Sequence, residues 1–139
     1  MTKRKKILLV EDDRATQQIS EMILKDLGYA VDTVSNGIQC VEIGHGLNAY
    51  SAIIMDVCMP QMNGFAASRI IRSLGFFTRP IYGVSGNARE AAEEEGILAG
   101  MTAYIEKPLS KEKIRDALET QTSQQVGTRE TPNSEGSKA

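Results

Sequence analysis

Ala52-Ile53-Ile54-Met55-Asp56 decides how this chain is read. Four apolar residues run without alternation and end on a carboxylate. A run this short and continuous reads as a strand buried on both faces, as in a parallel sheet. Related patterns recur along the chain. Ile7-Leu8-Leu9-Val10 stops at Glu11-Asp12-Asp13, and Pro80-Ile81-Tyr82-Gly83-Val84 stops at Ser85. Ala103-Tyr104-Ile105 leads to Lys107-Pro108. Tyr29 to Val34 is strand-like but alternates, as suits a more exposed position.

Helix-length segments lie between these runs. Ile19, Met22, Ile23 and Leu27 fall at i, i+3, i+4 and i+8, and Gly28 supplies a stop. Asn36-Gly37 opens a second, weaker helix that ends near Gly44-His45-Gly46. Ala67, Ile70, Ile71 and Leu74 mark a third. Arg89 to Ala99 reads as a short acidic helix, and Ser110 caps a last one carrying Ile114, Ala117 and Leu118. Five strands alternating with five helices imply an α/β parallel sheet covered on both faces. From Gln121 the chain turns polar, so residues 1–120 are expected to form one domain and residues 121–139 a disordered tail.

The 139 residues suit one domain, and 41% are hydrophobic, enough for a core. A net charge of -2 argues against binding nucleic acid by bulk charge. No apolar stretch reaches the ~18 residues of a membrane span. The start lacks the long apolar region of a secretion signal. Cys40 and Cys58 form no metal-binding pattern and read as free thiols of a reducing compartment. Cytoplasm is the expected location. The Lys3 to Lys6 run reads as a solvated end, with a nuclear signal as the alternative. His45, the single histidine, reads as a loop residue.

In an open parallel sheet the functional crevice lies at the carboxyl ends of the strands. Glu11, Asp12, Asp56, Ser85 and Lys107 all follow strand ends. Glu11, Asp12 and Asp56 carry -3 and Lys107 returns +1, a sum of -2. Two like charges ~4 Å apart repel by about 1 kcal/mol in water and ~4 kcal/mol near a protein surface. Such a cluster calls for a cation, and oxygen donors in an open site suit Mg²⁺, with Mn²⁺ as an alternative. Each residue alone has a plainer reading. Asp13 suits a helix cap, Ser85 a turn hydroxyl and Lys107-Pro108 a turn. Their joint occurrence at four strand ends is what turns suggest poorly.

The segments Ile7 to Asp13, Met55 to Gly64, Gly83 to Ala88 and Ala99 to Leu109 together resemble the response-regulator receiver domain over about Lys6 to Glu119. The resemblance implies a flavodoxin-like doubly wound sheet in the order 2-1-3-4-5. It implies that Asp56 takes a phosphoryl group from a phosphohistidine of a histidine kinase or phosphotransfer protein. Asp12, Asp56 and the Cys58 backbone carbonyl would hold Mg²⁺, with Glu11 acting through water. Ser85 and Lys107 would contact phosphoryl oxygens, and Tyr104 would turn inward as Ser85 moves. Asn63 stands where aspartate is frequent, and Ser85 where threonine is common. The resemblance extends to receivers of hybrid histidine kinases and to free-standing phosphorelay receivers. It implies a signalling module that catalyses only its own phosphorylation and dephosphorylation; a monomer is expected, and the missing apolar stretch leads to the expectation of no membrane insertion.

Two other classes fit less well. A phosphohydrolase using Asp56 as nucleophile usually has a second aspartate two residues on, where this chain has Cys58. A flavin- or nucleotide-binding module wants a Gly- or Ser/Thr-rich loop after the first strand, where this chain has three acids.

Overall fold

A computed structural model describes residues 4–87 and 99–128, with side chains to residue 119. Strands β1 (Lys6–Val10), β2 (Ala30–Val34), β3 (Ala52–Asp56), β4 (Ile81–Ser85) and β5 (Ala103–Glu106) form one sheet. All pairings are parallel and the order is β2-β1-β3-β4-β5. The described helices are α1 (Arg14–Asp26), α2 (Gly37–Ile43), α3 (Gly64–Ser73) and α4 (Lys111–Thr128), with a 3-10 turn at Gly44–Ala49. The helix expected from Arg89 falls almost wholly on residues 88–98, outside the described residues. The polar stretch from Gln121 is helical as far as Thr128.

Continuous apolar strands sit where both faces are covered. Every residue of β3 and β4 is buried, whereas β2, at the sheet's end, is half-exposed. Side chains alternate between two core layers. Leu8, Val10, Ile53, Met55 and Ile81 pack with Cys40, Leu47, Ala67, Ile71 and Phe77. Ile7, Leu9, Ile54, Tyr82 and Ile105 pack with Leu24, Ile114 and Leu118. Cys40 is deep enough that burial pushes its thiol up to about 12, and both cysteines are free.

The helix faces differ from the sequence reading in two places. In α1 the fully buried residues are Ser20 and Leu24, while Ile19 and Met22 are 55% and 71% exposed. Ile23 and Leu27 do pack against the core, but the stripe is centred near Ser20, so apolar spacing alone set it about a quarter-turn off. In α3, Leu74 is exposed and the buried stripe is Gly64, Ala67, Ser68 and Ile71. Ser68 and Arg72, one turn apart, serve a polar purpose there. Ser68 Oγ donates to the Ala99 carbonyl at 2.7 Å, and Arg72 Nε donates to the Gly100 carbonyl at 3.0 Å. These bonds join α3 to the chain that enters β5.

At the outer strand β2, Asp32 accepts from the Tyr50 hydroxyl at 2.8 Å and pairs with Lys6 at 3.4 Å. Helix starts are capped as read. Asn36, Asn63 and Ser110 each accept a backbone N–H from three residues ahead.

Candidate functional site

Asp13 is the N-cap of α1: its carboxylate accepts the Thr16 amide at 2.9 Å and the Thr16 hydroxyl at 2.7 Å. That leaves Glu11 and Asp12 for the crevice. The Glu11 amide donates to the Val34 carbonyl at 3.1 Å, which carries the β1–β2 pairing one step past the strand. Glu11 Oε2 accepts the Asp13 amide at 3.0 Å, and Gln17 Nε2 donates to the Glu11 carbonyl at 2.5 Å. Glu11 is thus buried and fixed at both ends, while Asp12 is exposed.

Asp56 closes β3 and is 3% exposed. Its Oδ1 accepts the Cys58 amide at 3.0 Å, and its Oδ2 meets Lys107 Nζ at 3.0 Å. One carboxylate oxygen each from Glu11, Asp12 and Asp56 lie within 4.8 Å of one another. The Cys58 side chain is exposed. Ser85 lies one step beyond Val84, the strand partner of Asp56. Its hydroxyl accepts the Asn87 amide at 3.1 Å, and its carbonyl accepts the Lys107 amide at 2.8 Å. The structure therefore brings Glu11, Asp12, Asp56 and Lys107 together and sets Ser85 beside them. Tyr104 sits apart on β5, half-buried, opposite Gly83 in register. A Cβ on Gly83 would lie 2.8 Å from the Tyr104 ring, so the missing side chain is what makes room for it.

Three supporting contacts were invisible in the sequence. Gly64 packs so close to β3 that a Cβ there would meet the Asp56 carbonyl oxygen and lie 2.9 Å from Val57 Cα. Gln17 reaches the Glu11 carbonyl from a helix face that reads as plain solvent surface. Lys113 Nζ donates to the carbonyls of Glu106 and Pro108. Only Gly64 leaves a trace, a glycine directly after the cap Asn63.

Burial pushes the Glu11 carboxyl up to about 7; the Asp13 amide bonded to it works the other way, and the charges of Asp56 and Asp12 add to the rise. For Lys107, burial pulls downward, but the hydrogen bond and charge of Asp56, with Glu11, outweigh it and the ammonium is held above its ordinary range. A pH dependence follows for the metal-free chain. Unfolded, Glu11 loses its proton near 4.5; folded, it keeps the proton to about 7. Between those values the folded form binds more protons, so stability falls as pH rises through that window. Thermal melts in chelator between pH 5 and 7.5 are expected to show this decline, and Glu11→Gln is expected to flatten it. An equal slope in both proteins would contradict the assignment.

The response regulator receiver domain family matches residues 7–119. The two-component response regulator ORR41 of Oryza sativa is 37% identical over 112 residues, covering 78% of this chain and 87% of its own length. Histidine kinase 5 of Arabidopsis thaliana is 28% identical over 145 residues, and the match covers 85% of this chain but 16% of that protein. Among solved structures, the receiver domain of a sensor histidine kinase from Pseudomonas aeruginosa PAO1, with a magnesium ion coordinated in its active-site cleft, superposes with a TM-score of 0.76. It is 34% identical, and the match covers 85% of this chain and 97% of that one. With the parallel 2-1-3-4-5 sheet and the acidic cluster at its carboxyl edge, this chain belongs to the response regulator receiver domain family of two-component and phosphorelay systems.

Proposed function

We propose that Asp56 is the phosphoryl acceptor and that the donor is a phosphohistidine on a histidine kinase or phosphotransfer protein. The observation that carries this is the placement of Asp56. It is buried, bonded to Lys107, and lies within 4.8 Å of two further carboxylates. In the transfer the P–N bond of the phosphohistidine breaks and a P–O bond to Asp56 forms. Lys107 offsets charge on the arriving phosphoryl oxygens, and the Cys58 amide orients the acceptor carboxylate through Oδ1. The Ser85 hydroxyl gives up the Asn87 amide to reach the phosphoryl group. Tyr104 then turns about its place above Gly83, which is the proposed switch.

Three hard carboxylate donors with a net surplus of negative charge fit Mg²⁺, and Mn²⁺ accepts the same donors. Asp12, Asp56 and the Cys58 carbonyl would hold the ion, with Glu11 acting through water. Bound there, it supplies the positive charge that draws and neutralises the phosphoryl group. No described helix is long and apolar enough to cross a membrane. Residues 1–120 would be the phospho-accepting unit and residues 121–139 a linker or tail. Its slow self-dephosphorylation is part of the same reading. The phosphohydrolase alternative finds Cys58 where its acid is needed.

The test is incubation of the folded chain with acetyl phosphate and Mg²⁺, read by intact mass. One added phosphoryl group is expected, and none in excess chelator. No adduct on folded protein at saturating donor and Mg²⁺ would overturn the reading.

A further inference from the structure

Resting on that reading, we infer that Lys113 is a positioning residue for phosphoryl transfer: its ammonium staples the two carbonyls that flank Lys107. Lys107 must present its Nζ to Asp56, yet it lies in the turn between β5 and α4, and its side chain is 40% exposed. A flexible four-carbon stem in such a turn holds no fixed direction by itself. Its main chain is held instead. On one side its amide donates to the Ser85 carbonyl at 2.8 Å. On the other, Lys113 Nζ donates at 3.1 Å to the carbonyl of Glu106 and at 2.9 Å to that of Pro108.

Lys113 is itself well placed for this. It sits in the first turn of α4, where its amide donates to the capping Ser110 hydroxyl at 3.1 Å. The helix start and the turn are thereby locked to each other. A plainer account is that an exposed lysine merely covers two carbonyls that water would satisfy equally well. That account predicts no kinetic consequence. A second plain account is electrostatic: another positive charge near the crevice attracts an anionic donor. That one predicts a change in half-saturation and in salt dependence. A staple predicts neither. It predicts a slower maximal rate at unchanged half-saturation, because the aim of Lys107 counts in the transition state and adds little to binding of the donor.

The experiment measures phosphorylation of wild type, Lys113→Met and Lys113→Arg by acetyl phosphate in saturating Mg²⁺, at low and high salt. Lys113→Met is expected to lower the maximal rate about three- to tenfold, the scale of losing two exposed hydrogen bonds. Half-saturation and salt dependence should stay as in wild type. Lys113→Arg, which keeps several donors on a stem of similar reach, is expected to recover most of the rate. An unchanged maximal rate in Lys113→Met overturns the inference, as does a change confined to half-saturation. If Lys113→Met proves poorly folded by thermal melt, Lys113→Ala carries the same comparison, since it removes both donations and suits a helix. Failure of wild type itself to take up phosphate strikes the functional reading above, whereas normal uptake by every Lys113 variant strikes only the staple.

Discussion

With asparagine in place of Asp56, no phosphoryl group is expected to add under conditions that modify the wild-type chain fully. The carboxamide keeps the shape of the carboxylate, and its oxygen still accepts the Cys58 amide that Oδ1 accepts now. What disappears is the anionic oxygen proposed to attack phosphorus, together with the partner of Lys107. The formal charge of the cluster goes from -2 to -1, which weakens the site's hold on a divalent ion. At least a tenfold loss of Mg²⁺ affinity is expected, or about 1.4 kcal/mol. Intact mass reports the first effect and a Mg²⁺ titration of the thermal midpoint the second. Retention of the adduct by the variant would place the acceptor elsewhere in the chain.

Gly64→Ala is expected to destabilise the fold by about 2–3 kcal/mol, the upper part of the range for forcing extra atoms into a packed core. Alanine ordinarily favours a helix over glycine by about 1 kcal/mol, so propensity alone predicts the opposite sign. The steric effect wins because the new Cβ meets backbone, which cannot swing aside as a side-chain tip can. It would overlap the Asp56 carbonyl oxygen and sit 3.1 Å from the Asp56 carbonyl carbon. Relief requires α3 to retreat from β3, and the Gly64 amide to loosen its 3.0 Å bond to the Val57 carbonyl. The thermal midpoint should fall by roughly 10 °C, and phosphorylation should slow because the loop after Asp56 moves with the helix. A variant as stable as wild type would show that the contact is not tight.

The strands were legible because their chemistry is local. Ala52 to Asp56 and Ile7 to Val10 are buried on both faces, and a continuous apolar run records that directly. The acids at the strand ends were legible for a related reason: the parallel topology delivers every strand's last residue to one edge. The face of α1 was not. Ser20 is buried beside Leu24, while Ile19 and Met22 face solvent, and apolar spacing cannot register a buried hydroxyl. The supports were hidden too. Gln17, Gly64 and Lys113 act through backbone atoms of residues 6, 8 and 7 positions away; the glycine can be read, but which backbone atoms each of the three meets cannot.

Asp32 has a consequence beyond its own contacts. It stands at the middle of β2, the strand whose outer side has no neighbour in the sheet among the described residues. An unpaired strand edge is a template on which another chain can build. Here the template carries a half-exposed carboxylate, pinned by Tyr50 and Lys6. A newcomer's apolar strand would have to lie against that ion and strip water from it. One acid in the middle of the outer strand thus opposes growth of the sheet into a polymer.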